Sequence, residues 1–374
     1  MALNDLGGNL RRNMKLRSVS IQQLSEKCSL GTATLSNILN GKSNPSTSTV
    51  QKIADSLGVS INDLFCDIPK LKTLRYRTNK TSTAREKAEQ DQLKIDIAYW
   101  LKDYLFLEKI TSQKKEYKLD SYAGKSPIFV AHEARKELHI QADQPIWDIV
   151  QILENAGIKI YIHPFSFKQT FGMSLGPEDN GPAIIINNDN NISYERKIYT
   201  IAHELGHLLL HSDSYKNFKE ESKEEEKQAD EFAAEFLMPM DAFKEKWREY
   251  EGLNWIEAVL QIKQYFGVSY RTVLYRLTTL TNNKELYRTF SFLYKKSFGH
   301  DLKDNFEPDS LTSLRFIPTE NEYLNKLPGD FFINRRFNSL VRTAYQNKKI
   351  SLEKAAQLCN ISTKDMKQLR EAWL

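Results

Sequence analysis

Between Ser193 and His211 the chain sets His203 and His207 four residues apart, on a run whose apolar residues recur at helical spacing. Ile198, Ile201, Ala202, Leu205, Leu208 and Leu209 fall on one face of such a helix and form a stripe fit for burial. Positions i and i+4 lie one turn apart on one face, so both imidazoles can reach a single ion. Glu204 stands beside them, placed to take a proton from an attacking water. That is the mechanical content of an H-E-x-x-H run. The histidines lie on the flank of the stripe, where a cleft belongs. Gly206 costs about 1 kcal/mol relative to Ala in a helix interior, which marks a place where another segment packs close.

A catalytic zinc site usually takes three protein ligands and leaves one position open. Downstream lies an acidic run, Glu224 to Glu235, on a helix expected over about 223–237 and ended by Pro239. Ala229, Phe232, Ala233, Phe236 and Leu237 face inward on it, which leaves Glu226 on the inner edge. Glu226 as third ligand, with Asp230 as the acceptor that orients a ligand histidine, matches the E-x-x-x-D arrangement of thermolysin-like enzymes. Glu225, Asp230 and Glu235 are the alternatives for the third ligand. His211 continues the i+4 series, but helix geometry swings it about 80° away from His203. Leu210 and Asp213 stand where the metzincin pattern has Gly and His, so that pattern fails, and His211 is expected at the rim or in packing. Two histidines and one carboxylate favour Zn2+, with Mn2+ as the alternative.

The rest of the chain bounds the setting. At 374 residues it is too long for one ordinary core, and 40% hydrophobic with 27% charged residues is a globular composition. No apolar run reaches the roughly 18 residues of a membrane helix, and the first fifteen residues lack the apolar core of a secretory signal. Cys28, Cys66 and Cys359 show no CxxC spacing, which argues against a disulfide scaffold and makes a reducing cytoplasm the default. The net charge of +5 is uneven: residues 1–80 hold 12 Lys/Arg against 5 Asp/Glu, and the remainder 41 against 43. A basic head on a near-neutral body suits a polyanion at the head alone.

Secondary structure follows from periodicity and caps. Five short helices are expected over residues 4–66, with Leu6, Leu10, Met14 and Leu16 on the first, Ser20 and Ser60 as caps, Leu35 and Ile38 inward on the third, and Pro69 as the boundary. A connector helix carries Leu93, Ile97, Trp100, Leu101, Tyr104 and Leu105. Helices at 129–138 and 147–156 precede short strands at 159–163, 170–175 and 183–187. A charged loop at 215–223 separates the two acid- and histidine-bearing helices, and helices at about 254–265 and 270–280 follow. The tail gives helices at 338–346, 352–358 and 363–373, with Leu340, Leu352 and Leu358 as core. It has helix-turn-helix spacing, yet an accessory module for packing or substrate docking is the favoured reading. The fold class expected is mainly α with a small β-sheet (α+β). Residues 1–68 are expected to form a five-helix domain, 69–126 a helical connector, 127–285 a domain built around the H-E-x-x-H helix and 286–374 a C-terminal helical module.

AHELGHLLLH, followed by E-x-x-A-D-x-F-A-A-E-F-L-M-P from Glu226 to Pro239, resembles the ImmA/IrrE family of metallopeptidases, and the likeness spans roughly residues 127–280. It implies a minimal zincin fold, with His203, His207 and Glu226 as metal ligands and Glu204 as general base. It also implies a role in cutting a helix-turn-helix repressor and so releasing genes for a stress or mobile-element response. Tyr199 stands where the family often has Phe. Residues 8–66 resemble the lambda-repressor-like Xre helix-turn-helix family through VSIQQLSEKCSLGTATLSNILNG and NPSTSTVQKIADSLGVSINDLF. That likeness implies a double-stranded DNA partner and a recognition helix in the major groove. Thr32, Ala33, Thr34, Ser36 and Asn37 are then the base-contact candidates, and Lys42, Ser43 and Asn44 the phosphate contacts. The family often has Gln where this chain has Ile21, with Gln22 and Gln23 beside it.

Two functions of different class follow. One is a DNA-binding zinc endopeptidase that acts on a helix-turn-helix repressor, in the cytoplasm and without a membrane, with a homodimer through the head as a further expectation. The other is a DNA-binding regulator whose peptidase-like domain binds a partner or senses a signal without cutting, antitoxin-like roles included.

Overall fold

The computed structural model describes residues 4–17, 19–59, 61–65, 71–75, 84–146, 148–165, 170–217, 222–250, 252–302, 307–308, 333–371 and 373. The chain is mainly helical, with one three-stranded sheet among these residues. No helix among them is long and apolar enough to cross a membrane.

The head forms α1 (Asn4–Leu16), α2 (Ile21–Cys28), α3 (Thr32–Leu39), α4 (Thr47–Leu57) and α5 (Ile61–Phe65). Ser20 Oγ accepts from Gln23 N while Gln23 Oε1 accepts from Ser20 N, a reciprocal capping box that starts α2. Ser46 caps α4, and Gly58 ends it in the left-handed region at φ 65°. Leu6, Leu10, Met14, Leu24, Leu35, Ile38, Val50, Ile53 and Leu57 bury together. Cys66, Pro69, Trp147 and the Ser60 cap lie outside the described residues.

The long helix α6 (Ala84–Thr111) buries Leu93, Ile97, Trp100, Leu101 and Tyr104 as expected, and Leu107 rather than the half-buried Leu105. Its Asp96 and Asp103 pair with Lys15 at 2.7 Å and Arg12 at 3.0 Å. Two of the head's cations are therefore neutralised within the protein.

Next come α7 (Pro127–Glu137), α8 (Ile149–Asn155), β1 (Lys159–His163), β2 (Gly172–Leu175) and β3 (Ala183–Asn187). They are followed by α9 (Tyr194–Leu210), α10 (Ser212–Asn217), α11 (Lys223–Leu237), α12 (Met240–Glu249), α13 (Trp255–Phe266), α14 (Tyr270–Thr281) and α15 (Leu286–Phe298). The tail forms α16 (Arg335–Gln346), α17 (Leu352–Cys359) and α18 (Thr363–Glu371), with Leu340 and Leu358 buried and Leu352 half-buried.

β3 is the central strand. It runs parallel to β1, with Lys159 opposite Ala183, and antiparallel to β2, with Gly172 opposite Ile186. All five β3 residues are buried, which is why Ala183–Ile186 is a continuous apolar run rather than an alternating one, and the last, Asn187, is polar but hydrogen-bonded to Phe165. The outer edge of β2 is covered at one point, where Arg75 and Ser174 exchange backbone hydrogen bonds of 2.9 and 3.2 Å. Asp179 anchors that segment by accepting from Lys72 N, Thr73 N and Thr73 Oγ1 at 2.6–2.9 Å.

The chain separates into two compact units. One takes in residues 1–71, 81–114 and 335–374, and the other 72–80 and 115–334. This grouping differs from the expected division, and residues 72–80 and 115–126 of the expected connector fall in the sheet-bearing unit. The connector helix α6 and the tail helices α16–α18 share a unit with the head, where Phe337 lies 5.9 Å from Tyr104 and Arg336 pairs with Glu108 at 2.9 Å. Helix α15 groups instead with the sheet-bearing unit, because Phe290 is fully buried between Trp255 and Tyr270, with ring centroids 5.6 and 5.3 Å away.

The expected loop at 215–223 is also corrected. Residues 212–217 are helical, held by the buried Tyr215, one apolar anchor in a polar stretch that periodicity cannot register. Helices α12 and α15 escape periodicity for a similar reason, since each buries only one or two aromatic residues.

Candidate metal centre and nucleic-acid interface

Helix α9 starts where Ser193 Oγ accepts from Arg196 N at 3.2 Å, and its apolar stripe is buried throughout. It packs on α11 at close range. A Cβ on Gly206 would lie 2.9 Å from Phe232 Cδ1 and 3.3 Å from Ala229 Cα. We expect Gly206→Val to lower stability by about 1–3 kcal/mol, as overpacking does, read as a lower urea midpoint. An unchanged midpoint would show that the two helices have slack between them.

This approach brings α11 over the two histidines. His203 Nε2 and His207 Nε2 are 3.1 Å apart, and Glu226 reaches them at 3.7 and 3.2 Å. One donor atom from each lies within 4.8 Å of the others. Donors about 2.0–2.1 Å from a tetrahedral zinc stand roughly 3.3–3.4 Å apart; the two imidazole nitrogens, and each with its nearer Glu226 oxygen (Oε2 for His203, Oε1 for His207), lie near that value. Two imidazoles and a carboxylate are also the chemistry such an ion takes. These residues fit one metal ion.

The alternatives for the third ligand are engaged elsewhere. Glu225 pairs with Arg75 and accepts from Ser214 Oγ at 2.7 Å; burial works to raise its pKa, but these hydrogen bonds and the Arg75 charge bring it down to about 2. Glu235 pairs with Arg276 at 2.7 Å and His132 at 3.1 Å. Asp230 accepts from His203 Nδ1 at 2.9 Å and from the Tyr199 hydroxyl at 3.1 Å. Tyr199 thus gives Asp230 a donor that Phe would lack.

Burial and neighbours set the charge states. Burial pushes the His207 imidazole down to about 3, which keeps it neutral with a lone pair to offer. Burial also works to lower His203, but the Asp230 hydrogen bond and the charges of Glu204, Asp230 and Glu226 outweigh it and hold that pKa above its ordinary value. Burial raises the Glu204 carboxyl, and His203 and the Ser174 hydroxyl limit the rise.

Glu204 is held by groups that sequence reasoning did not single out. Ser174 Oγ donates to Glu204 Oε2, and the Tyr215 hydroxyl then supplies the hydrogen to Ser174 at 2.8 Å. A Cβ on Gly172 would meet Thr200 Cγ2 at 2.5 Å and Glu204 Cγ at 3.3 Å, so only glycine lets β2 run this close to the glutamate. These contacts join β2, α9 and α10, and no local spacing announces them. A cleft of about 660 Å³ opens beside the cluster, with Phe171, Arg196, Tyr199, Arg271, Tyr275 and Tyr287 among its walls.

In the head, the inward residues Leu35 and Ile38 of α3 are buried, so its other face is turned outward. Thr32, Ala33, Thr34 and Asn37 are exposed there, as are Lys42 and Asn44 just beyond it. Ser36 and Ser43 are half-buried, and the Ser36 hydroxyl takes a 3.4 Å hydrogen bond from Asn40. Gln23 is occupied in the α2 cap while Gln22 is exposed, which leaves Gln22 the freer of the two amides.

Residues 153–278 match the family model of the IrrE N-terminal-like domain, and residues 10–64 match that of the helix-turn-helix family. The first match contains His203, Glu204, His207 and Glu226, and the second contains α2, α3 and α4 whole. Arg75, on the edge of β2, lies outside both. No curated protein matches the chain. Among solved structures, the chain is similar to ComR from Streptococcus suis at 11% identity, over 100% of this chain and 96% of that one, with a TM-score of 0.17. It is similar to Bacillus thuringiensis PlcR, solved with a peptide and DNA, at 12% identity over 99% of each chain, with a TM-score of 0.16. Scores this low carry no structural argument.

Proposed function

We propose that this chain, a helix-turn-helix DNA-binding domain joined to an IrrE-like domain, is a regulatory zinc endopeptidase that cleaves a helix-turn-helix repressor. The observation that carries this reading is the convergence of His203 Nε2, His207 Nε2 and Glu226 on one point beside a buried Glu204. The choice of a repressor as substrate, in a stress or mobile-element response, rests on the ImmA/IrrE resemblance of the His203–Pro239 stretch. The cytoplasm is the compartment this reading implies.

A zinc ion in this donor set supplies Lewis acidity toward the scissile carbonyl and the attacking water. The protein's own residues handle the protons. Glu204 takes one proton from water as its oxygen bonds to the carbonyl carbon, and returns it to the amine nitrogen as the C–N bond breaks. Burial that raises the Glu204 pKa improves its match to this task, because a base works best with a pKa near the working pH. Ser174 holds one carboxylate oxygen and leaves the other for the proton. Asp230 fixes the His203 ring. A substrate strand would add at the start of the β2 edge, where Thr170, Phe171 and Gly172 line the cleft, short of the Arg75 pairing at Ser174.

The head tethers this site to DNA. Lys42 is exposed just past α3, and Lys42→Ala is expected to weaken DNA binding evenly across sequences and reduce the salt slope by about 1. Fluorescence anisotropy at several salt concentrations checks this, and an unchanged slope would remove Lys42 from the interface.

The functional reading is tested by replacing the chromosomal copy with Glu204→Gln and following both repressor length and target-gene expression. Loss of repressor cleavage and of gene release, with DNA binding intact, is the expected result. An unchanged regulatory output would overturn the reading in favour of a regulator that binds its partner without cutting.

A further inference from the structure

His203 has a visible orienting partner in Asp230, while the Nδ1 of His207 faces another imidazole. Its Nδ1 lies 3.0 Å from His211 Nδ1, and His211 Nε2 lies 2.9 Å from Gln228 Oε1. An amide oxygen only accepts, so His211 Nε2 carries the hydrogen. A neutral imidazole has a single N–H, so His211 Nδ1 presents a lone pair. The hydrogen between the two Nδ1 atoms therefore belongs to His207. His207 Nε2, which faces His203 Nε2 at 3.1 Å and Glu226 Oε1 at 3.2 Å, is then the nitrogen left to bind an ion in place of the Glu226 contact.

We propose that His211 and Gln228 are positioning residues that lock His207 in the Nδ1–H tautomer and aim its Nε2 at the metal. The inference rests on the zinc reading above. It replaces the expected rim or packing role of His211. The 80° offset that keeps His211 off the face of His203 does not separate it from His207, one turn below; the two ring centroids are 5.1 Å apart. His211 is buried at the end of α9, so water does not compete for the contact. Gln228 stands two residues after Glu226, so α11 delivers both a ligand and the far end of the relay. A carboxylate in the place of His211 would do the same work with a negative charge; the neutral relay orients His207 without adding one.

Outer partners of this kind are worth roughly 10- to 100-fold in metal affinity. The test is zinc affinity of the full-length chain by competition with a chromophoric chelator, in wild type, His211→Leu, His211→Gln and Gln228→Leu. His211→Leu removes the acceptor and is expected to weaken zinc by that factor. His211→Gln keeps an acceptor oxygen and is expected to stay close to wild type. Gln228→Leu is expected to weaken zinc in the same direction as His211→Leu. Wild-type affinity in a folded His211→Leu chain would overturn the relay, and so would equal losses in His211→Leu and His211→Gln, which would leave only packing. A wild type that binds no zinc would instead overturn the zinc reading on which the relay stands. Should His211→Leu fail to fold, long-range 15N–1H NMR of the wild-type imidazoles decides: an Nδ1–H tautomer at His207 supports the relay, and an Nε2–H tautomer overturns it.

Discussion

Glu204→Gln is expected to lower the turnover number for peptide cleavage by roughly 10²–10⁴-fold, the contribution of a positioned general base. The substitution keeps the side chain's size and its acceptor oxygen for Ser174, but an amide cannot take the proton from water. Glu204 is not one of the three converging donors, so zinc content should match wild type. KM should change little, because the lost interaction acts on proton transfer rather than on peptide binding. A steady-state assay on the purified repressor, beside metal analysis of the same sample, checks both halves. Turnover within a few-fold of wild type would remove Glu204 from the chemistry. Loss of zinc together with activity would mean that it has a structural role in the cluster instead.

The second large effect concerns the packing beneath the site. Phe232 is fully buried, stacks on Phe236 with centroids 5.5 Å apart, and presses its ring against Gly206. Phe232→Ala is expected to cost about 3–5 kcal/mol, the lost burial plus the cavity left behind. That amount is a large share of the stability of an ordinary domain. The void opens between α9 and α11, the two helices that bring Glu226 to His203 and His207. Zinc affinity should therefore fall along with the urea midpoint. A midpoint shift worth less than about 1 kcal/mol would mean that the helices collapse onto the gap and that the contact is not what sets their spacing.

What the sequence disclosed and what it hid divide along a physical line. His203, His207 and the stripe through Ile198, Leu205 and Leu209 are legible because they share one helix, and helical spacing alone decides which residues share a face. The bounds of β1, β3 and α11 follow in the same way from local patterning and caps. Glu226 was legible as the acidic residue on the inner edge of its helix, ahead of Glu225, Asp230 and Glu235; what the sequence could not show is that Arg75 pairs with Glu225 and Arg276 with Glu235. Ser174, Tyr215 and Gln228 were not legible at all. Each is an ordinary polar residue whose role comes from a contact between elements far apart in the chain, and no period links Ser174 to Glu204. His211 was seen, but the helical angle argued only against its joining His203 and was silent on its contact with His207. Arg75 was hidden in a polar stretch after the head, and its pairing with Ser174 at the edge of β2 carries no composition signal.

The most direct test of the account is elemental analysis of purified full-length protein beside its Glu226→Ala variant. Wild type is expected to hold about one zinc per chain, and the variant to lose affinity by more than the roughly 10- to 100-fold that removing an outer partner costs. Full zinc occupancy in the Glu226→Ala chain, at the same chelator competition as wild type, would contradict it.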